Sequence, residues 1–339
     1  MTRVSGCAAD QDEPAAAYPR AMARLPLGPA SAVAALALAA CSSASSSPTA
    51  KADAALAAAP AVTTASATTG TRPTKLLVIV EENHAEVPAL QRMPFLAAQA
   101  RRYGYTTAYR AVAHPSLPNY LTIAGGSAFG VTDDAGPSTH RIAGPSIFDQ
   151  AIAHQRRART YAESMPGACA LASAGRYAVK HNPWAYFSDP SARAHCRLDD
   201  VPAGTPTRGA LHDDVMRGQL PSVGMVVPDI CHDGHDCSLT TADDWLRSWL
   251  PQIERGPDWT ASRLVVVVTF DEDDYSDSNR VLTAVLSPRL QHVAVGAALT
   301  HCSLTRAAEE LVGAPLRGCA RKARSLLAAF GLSGPTTGR

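Results

Sequence analysis

The sequence predicts an α/β protein, a three-layer α/β/α sandwich in one domain around a mostly parallel central sheet. Three observations predict it. Continuous apolar, β-branched runs recur at "KLLVIV" (75–80), "SVGMVV" (222–227) and "RLVVVVTF" (263–270), with "VLTAVLS" (281–287) as a fourth. Unbroken apolar runs are buried on both faces, as in a parallel sheet covered by helices. Helical patterns at 89–102, 118–125, 145–156, 207–218, 240–254, 305–312 and 320–330 lie between and after these runs, and interleaved strands and helices argue for an α/β sandwich. The third observation is polar: "EENH" (81–84), "PDICHDGHDC" (228–237) and "DEDD" (271–274) each follow a strand directly. Ligands in open α/β sheets bind beyond the carboxyl ends of the strands, so these clusters are expected to meet at one edge.

The chain has 339 residues and a net charge of +1. No Lys/Arg-rich block is present, which argues against nucleic acid as a partner and for a small molecule or peptide. Residues 1–41 read as an export segment: Arg24 precedes a short apolar stretch too short to span a bilayer, and Met22 is the expected initiator. "LAAC", ending at Cys41, resembles a bacterial lipoprotein signal with Cys41 as the lipidated residue; a plain secretory signal is the alternative. Residues 42–72 are Ala/Ser/Thr-rich and read as a flexible linker, leaving 73–339 as the folded domain. The expected location is extracellular or anchored to the cell envelope, with membrane contact only through that lipid. Cys169, Cys196, Cys231, Cys237, Cys302 and Cys319 then suit three disulfides in an oxidising compartment. Sequential pairing staples loop-rich segments, and a Cys169–Cys196 loop of 28 residues would contribute roughly 3 to 4 kcal/mol.

Close carboxylates repel unless a cation lies between them. The oxygen-rich set with nearby Asn83 suits Mg²⁺, Ca²⁺ or Mn²⁺, whereas His232 and His235 also admit Zn²⁺ or Fe. "DEDDYSDSNRVL" lacks the turn glycine and terminal glutamate of an EF-hand. In "HPSLPNY" (114–120), Pro118 suits a helix's first turn and leaves Ser116 at the helix mouth, among free N–H groups. A serine there is either a reactive alcohol or an ordinary cap, and the motif alone does not choose.

"VEENH", "HPSLPNY", "YAVKHNPWAYFSD", "HDGHDC" and "TFDEDD", in that order from about residue 75 to 290, resemble the phosphoesterase family of bacterial and fungal secreted acid phosphatases and phosphatidylcholine-type phospholipases C, within the alkaline-phosphatase-like superfamily. The resemblance implies a sheet between helices, a divalent metal, and a phosphate ester as substrate. By motif it assigns Glu82, Asn83, Asp271 and Glu272 to the metal and Ser116 to both metal and nucleophile. Lys180, His181, Asn119 and His114 are expected at the substrate. Asp233, His235 and Asp236 are expected to hold a second ion or donate the leaving-group proton, with His235 the catalytic candidate. The "ENHAEV" sequence at the first motif and the single compact domain depart from the "ENRSFD"-like, longer phospholipases and favour a phosphomonoesterase. Two alternatives stay open: a phosphodiesterase or phospholipase C on the same site, and an exported protein that binds phosphate or metal without catalysis. No G-x-S-x-G elbow or Walker A loop supports a triad esterase or a nucleotide motor.

Overall fold

The computed structural model describes residues 72–333, so the expectations about the leader, Met22, Cys41 and the linker up to residue 71 lie outside the described residues. The chain runs β1 (Lys75–Glu81), α1 (Glu86–Arg92), α2 (Pro94–Arg102), β2 (Gly104–Thr106), β3 (Tyr109–Arg110), α3 (Ser116–Gly125), α4 (Ile147–Ala153), β4 (Ala158–Ala162), α5 (Pro190–Asp199) and β5 (Asp200–Pro202). It continues through α6 (Ala210–Met216), β6 (Val223–Val227), α7 (Leu239–Arg255), α8 (Pro257–Thr260), β7 (Leu264–Phe270), β8 (Thr283–Leu286), β9 (Val293–Val295), β10 (Leu299–Thr300), α9 (His301–Val312) and α10 (Leu326–Ala329).

Eight strands form one sheet in the order β5-β4-β6-β1-β7-β8-β2-β9. β1 pairs in parallel with β6 on one side and β7 on the other. The "VLTAVLS" run does become a strand, but β8 is antiparallel to both β7 and β2 and is the reversed member of a sheet otherwise parallel. Every residue of β6 and β7 is buried, as continuous apolar runs require when both faces are covered. The cover comes from two separately packed groups of helices: α1, α2, α6, α7 and α8 in one, and α3, α4, α5, α9 and α10 in the other. Among the helices, α7 places Leu239, Ala242, Leu246, Trp249, Leu250 and Ile253 on its buried side, the 3–4 spacing of an amphipathic helix.

Several boundaries differ from the sequence reading. The single helix expected at 89–102 is two, because Pro94 carries no N–H and pushes Met93 out of the helical region. The freed N–H groups of Phe95 and Leu96 donate to the Asp243 carboxylate of α7, a cap supplied from another helix. The pattern at 320–330 is a 3-10 turn at Gly318–Arg321 followed by the short α10, and α9 begins at His301 rather than 305. β4, "ARTYA", is a full member of the sheet that hydrophobic patterning misses. Its polar groups are satisfied internally, Thr160 Oγ1 donating to Asp200 and Tyr161 OH to Asp214, so burial costs little there. Helix α5 was likewise not expected. The cysteines pair sequentially, Cys169–Cys196, Cys231–Cys237 and Cys302–Cys319.

Candidate active site

The three strands that end in polar clusters are neighbours, β6-β1-β7, so sheet order alone brings "EENH", "PDICHDGHDC" and "DEDD" together. Backbone bonds tie the ends: Glu82 N–H donates to Asp233 O (2.8 Å) and Asp271 N–H to Glu81 O (2.9 Å). Asn83 takes a left-handed backbone, which its short polar side chain tolerates, and its N–H donates to Asp271 Oδ1 (3.1 Å). Glu272 N–H donates to the same oxygen (2.7 Å). One oxygen of Asp271 therefore holds two turns in place, and Oδ2 is buried without a hydrogen-bond partner.

Helix α3 aims Ser116 at this cluster. Its N-cap is Pro115, which has no capping side chain, and Ser116 is the first helical residue. The Ser116 hydroxyl donates to Glu82 Oε2 (3.1 Å) and lies 3.5 Å from Glu272 Oε1. Ser116 is buried, as is every residue of α3, and the helix ends at Gly126 in the left-handed conformation that glycine adopts without penalty. Asn119 orders the approach to the helix: its Oδ1 accepts from Val112 and Ala113 N–H, while Nδ2 donates to Ala113 O (2.9 Å) and Glu272 Oε2 (3.3 Å). Asn119 thus holds the loop and a carboxylate. Tyr120 OH donates to Glu82 Oε1 at 2.6 Å.

His114 bridges two carboxylates, Nδ1 lying 3.0 Å from Glu272 Oε2 and Nε2 3.1 Å from Asp273 Oδ1, and the exposed Tyr275 stacks on its ring. Asp273 is held by its own loop, accepting the N–H groups of Tyr275, Asp277 and Asn279. Asp274 is exposed, and Glu81 is buried with neither oxygen hydrogen-bonded, so the acids of "EENH" and "DEDD" that gather around Ser116 are Glu82, Asp271 and Glu272, joined by Asp233.

His181, fully buried, stacks on Tyr120 and lies 3.3 Å from Glu82 and 3.1 Å from Asp233 Oδ2. Glu82, His181 and His235 offer three ligand atoms within 4.8 Å of one another. His235 Nδ1 pairs with the exposed Asp236 at 2.7 Å. Lys180 Nζ lies 3.3 Å from His235 Nε2 and donates to Asp134 Oδ2 (3.0 Å). His232 lies apart, paired with Glu163 and Asp229.

Burial among like charges sets the electrostatics. Desolvation first, then neighbouring carboxylates, pushes Asp233 up to about 7 and Glu272 up to about 9. Asp271 is likewise pushed up to about 7 by burial. Glu82 is raised well above the usual carboxylate range by burial and by Asp271, and burial followed by Lys180 holds His181 neutral. A divalent cation is what this set fits: a buried Asp271 oxygen without a partner, the buried Asp233 oxygen that faces His181, two more carboxylates and a serine hydroxyl, all oxygens a hard cation accepts. His181, held neutral, and the nearby His235 would also suit a borderline ion.

The phosphoesterase family profile matches residues 88–291, more than half of the chain. The chain belongs to the phosphoesterase family. By that membership this family member is a phosphoric ester hydrolase. A phosphatidylinositol-3-phosphatase of Mycobacterium tuberculosis is 27% identical over 252 residues, covering 73% of this chain and 80% of the relative. A phosphate-repressible acid phosphatase of Penicillium chrysogenum is 31% identical over 190 residues, covering 52% of this chain but 43% of the fungal protein, so the chain spans less than half of that relative. Among solved structures, a Vibrio parahaemolyticus protein of the alkaline phosphatase superfamily has a TM-score of 0.51 at 8% identity, covering 76% of this chain and 70% of its own, a likeness of fold.

Three participants escaped the sequence reading. Tyr120 lies inside a quoted motif yet gave no sign of reaching Glu82. Asp134 sits in "GVTDDAG", ordinary loop chemistry. Fully buried His301 faces Asp271 O across 2.6 Å through Nε2 and Tyr109 OH across 3.1 Å through Nδ1, a string visible only once α9 is packed.

Proposed function

We propose that this phosphoesterase is an exported, divalent-metal-dependent phosphatase that hydrolyses phosphomonoesters through a phosphoserine at Ser116. The observation that carries the reading is a serine hydroxyl freed from capping, at a helix N-terminus, bonded to Glu82 and beside Glu272 in a buried carboxylate cluster. Glu82, Asn83, Asp271, Glu272 and Ser116 would hold the cation, with Asp233, His181 and His235 at its flank. When bound, the cation supplies charge neutralisation and a lowered serine pKa. Ser116 gives up its proton to solvent and its Oγ attacks phosphorus in line as the ester P–O bond breaks, and the departing alkoxide takes a proton at the His235 side of the pocket. The positive end of α3 stabilises the equatorial oxygens. Water then cleaves the phosphoserine, releasing inorganic phosphate and restoring the hydroxyl. Two relatives whose names describe phosphate removal, one from a phosphoinositide, support monoesters over diesters.

The test is turnover of p-nitrophenyl phosphate beside bis(p-nitrophenyl) phosphate, with chelator and with added metals, by the wild type and by Ser116→Ala. Chelator-sensitive monoester turnover, lost in Ser116→Ala at unchanged melting temperature, is expected. Retained activity in that variant refutes the nucleophile; diester preference moves the reading to a phospholipase C; silence with every metal leaves a binding protein.

A further inference from the structure

We propose that Asp134 is a resident anion in the phosphoryl subsite, its carboxylate holding two donors that an incoming phosphoryl group must take from it. The inference rests on the phosphatase reading and concerns how tightly that site holds its substrate and its product.

The subsite is defined by what the carboxylate touches. Asp134 Oδ1 accepts the N–H of Leu117 at 2.9 Å, the amide directly after Ser116 in the first turn of α3. Asp134 Oδ2 accepts from Lys180 Nζ at 3.0 Å, and that ammonium lies 3.3 Å from His235 Nε2. One planar O–C–O group thus bridges a helix-terminal amide beside Ser116 and a cation beside the proton-donor candidate. Two oxygens of a tetrahedral phosphoryl group present nearly the same bite to the same donors.

Asp134 is also placed to leave. It belongs to the connection between α3 and α4, its side chain is 29% exposed, and its neighbour Asp133 is bound locally to Ala135 N–H and His140. The cost of keeping it is electrostatic: a phosphate approaching the donors that this carboxylate holds meets one more negative charge. Water or substrate on Lys180 and Leu117 N–H requires the carboxylate to rotate outward. Its presence weakens phosphate binding, which favours release of the product.

A carboxylate that merely caps α3 and pins Lys180 makes the opposite prediction, because removing it disorders the subsite. Asp134→Asn separates the two: it keeps an oxygen to accept Leu117 N–H and removes the charge. Inorganic phosphate is the probe, titrated calorimetrically into the full chain carrying Ser116→Ala with excess Mn²⁺, so that no turnover is needed. Asp134→Asn is expected to tighten phosphate about fivefold, the scale of one partly exposed charge interaction, and to lower KM for p-nitrophenyl phosphate and the phosphate inhibition constant together. Lys180→Met is expected to weaken phosphate. Asp134→Ser, which also drops the charge, must move phosphate affinity in the same direction as Asn. Unchanged or weaker phosphate binding in both Asp134 variants, with wild-type turnover intact, overturns the proposal alone. A wild type that hydrolyses no ester, together with a Ser116→Ala chain that binds no phosphate, overturns the phosphatase reading and this inference with it.

Discussion

Asp271→Asn should stabilise the metal-free protein and destabilise the metal-loaded one. Asp271 is fully buried and pushed up to about 7 by desolvation, against 3.8 for a free aspartate. A carboxyl with a raised folded pKa is one the fold prefers neutral. The folded state is therefore unpenalised below about pH 3.8, loses stability as pH rises, and bears the whole cost once pH exceeds 7. That cost is about 4 kcal/mol for a group titrating so far above its free value. The amide removes the charge but keeps Oδ1 to accept Asn83 and Glu272 N–H. His301, lowered by burial to about 4, works the other way over the same pH window, so the effect is read as a difference between wild type and variant. In chelator at pH 8, Asp271→Asn should melt about 10 °C above wild type, and the gap should close toward pH 4. Excess divalent metal should reverse the order, because the wild type gains a ligand and the variant has lost one. A variant that melts below wild type in chelator at pH 8, or metal that stabilises both equally, would refute the argument that this carboxylate is held in repulsion awaiting a cation.

Removing the His301 imidazole should loosen Asp271: His301→Ala is expected to weaken metal binding about tenfold in a metal titration, whereas a purely structural role would lower the melting temperature at unchanged metal affinity. Asp258→Ala should be among the most destabilising single changes away from the site. It unpairs Lys75 and Arg263 and strips the acceptor from Leu220 N–H, costing about 3 kcal/mol by thermal or denaturant melting, with KM unmoved. Replacing Cys231 and Cys237 with serine should cost more activity than stability: the loop is short, so chain entropy contributes little, but it carries Asp233 and His235. Equal fractional loss in both assays would count against that assignment.

What could be read from the sequence was whatever burial writes locally. Val265–Val268 and Leu76–Val80 announce central strands because both faces are covered, and a polar cluster straight after such a run has only the sheet's edge to occupy. β4 was illegible because its buried Thr160 and Tyr161 are admitted by Asp200 and Asp214, partners 40 and 53 positions away. Asp134, Tyr120 and His301 share that property, since each acts through a contact that no spacing rule connects. Lys180 and His181 were legible as a pair but not in their separate fates, one turned to Asp134 and the other buried against Tyr120.

The choice at Ser116 between cap and reactive alcohol turns on the same physical ground. A capping serine stands just before the helix and accepts an N–H from its first turn. In α3 that place belongs to Pro115, which accepts nothing with its side chain, and the Leu117 N–H a cap would otherwise help satisfy is taken by Asp134 from seventeen residues away. Proline before the serine and a distant carboxylate over the helix end together relieve the hydroxyl of structural duty. It then donates to Glu82, whose other oxygen is fixed by Tyr120. A buried alcohol excused from capping and presented to carboxylates that burial, and then their neighbours, hold away from their charged form is poorly explained by stability, since burying those carboxylates costs the fold free energy. They make sense together if the site is completed by a cation and spends that stored repulsion on binding it.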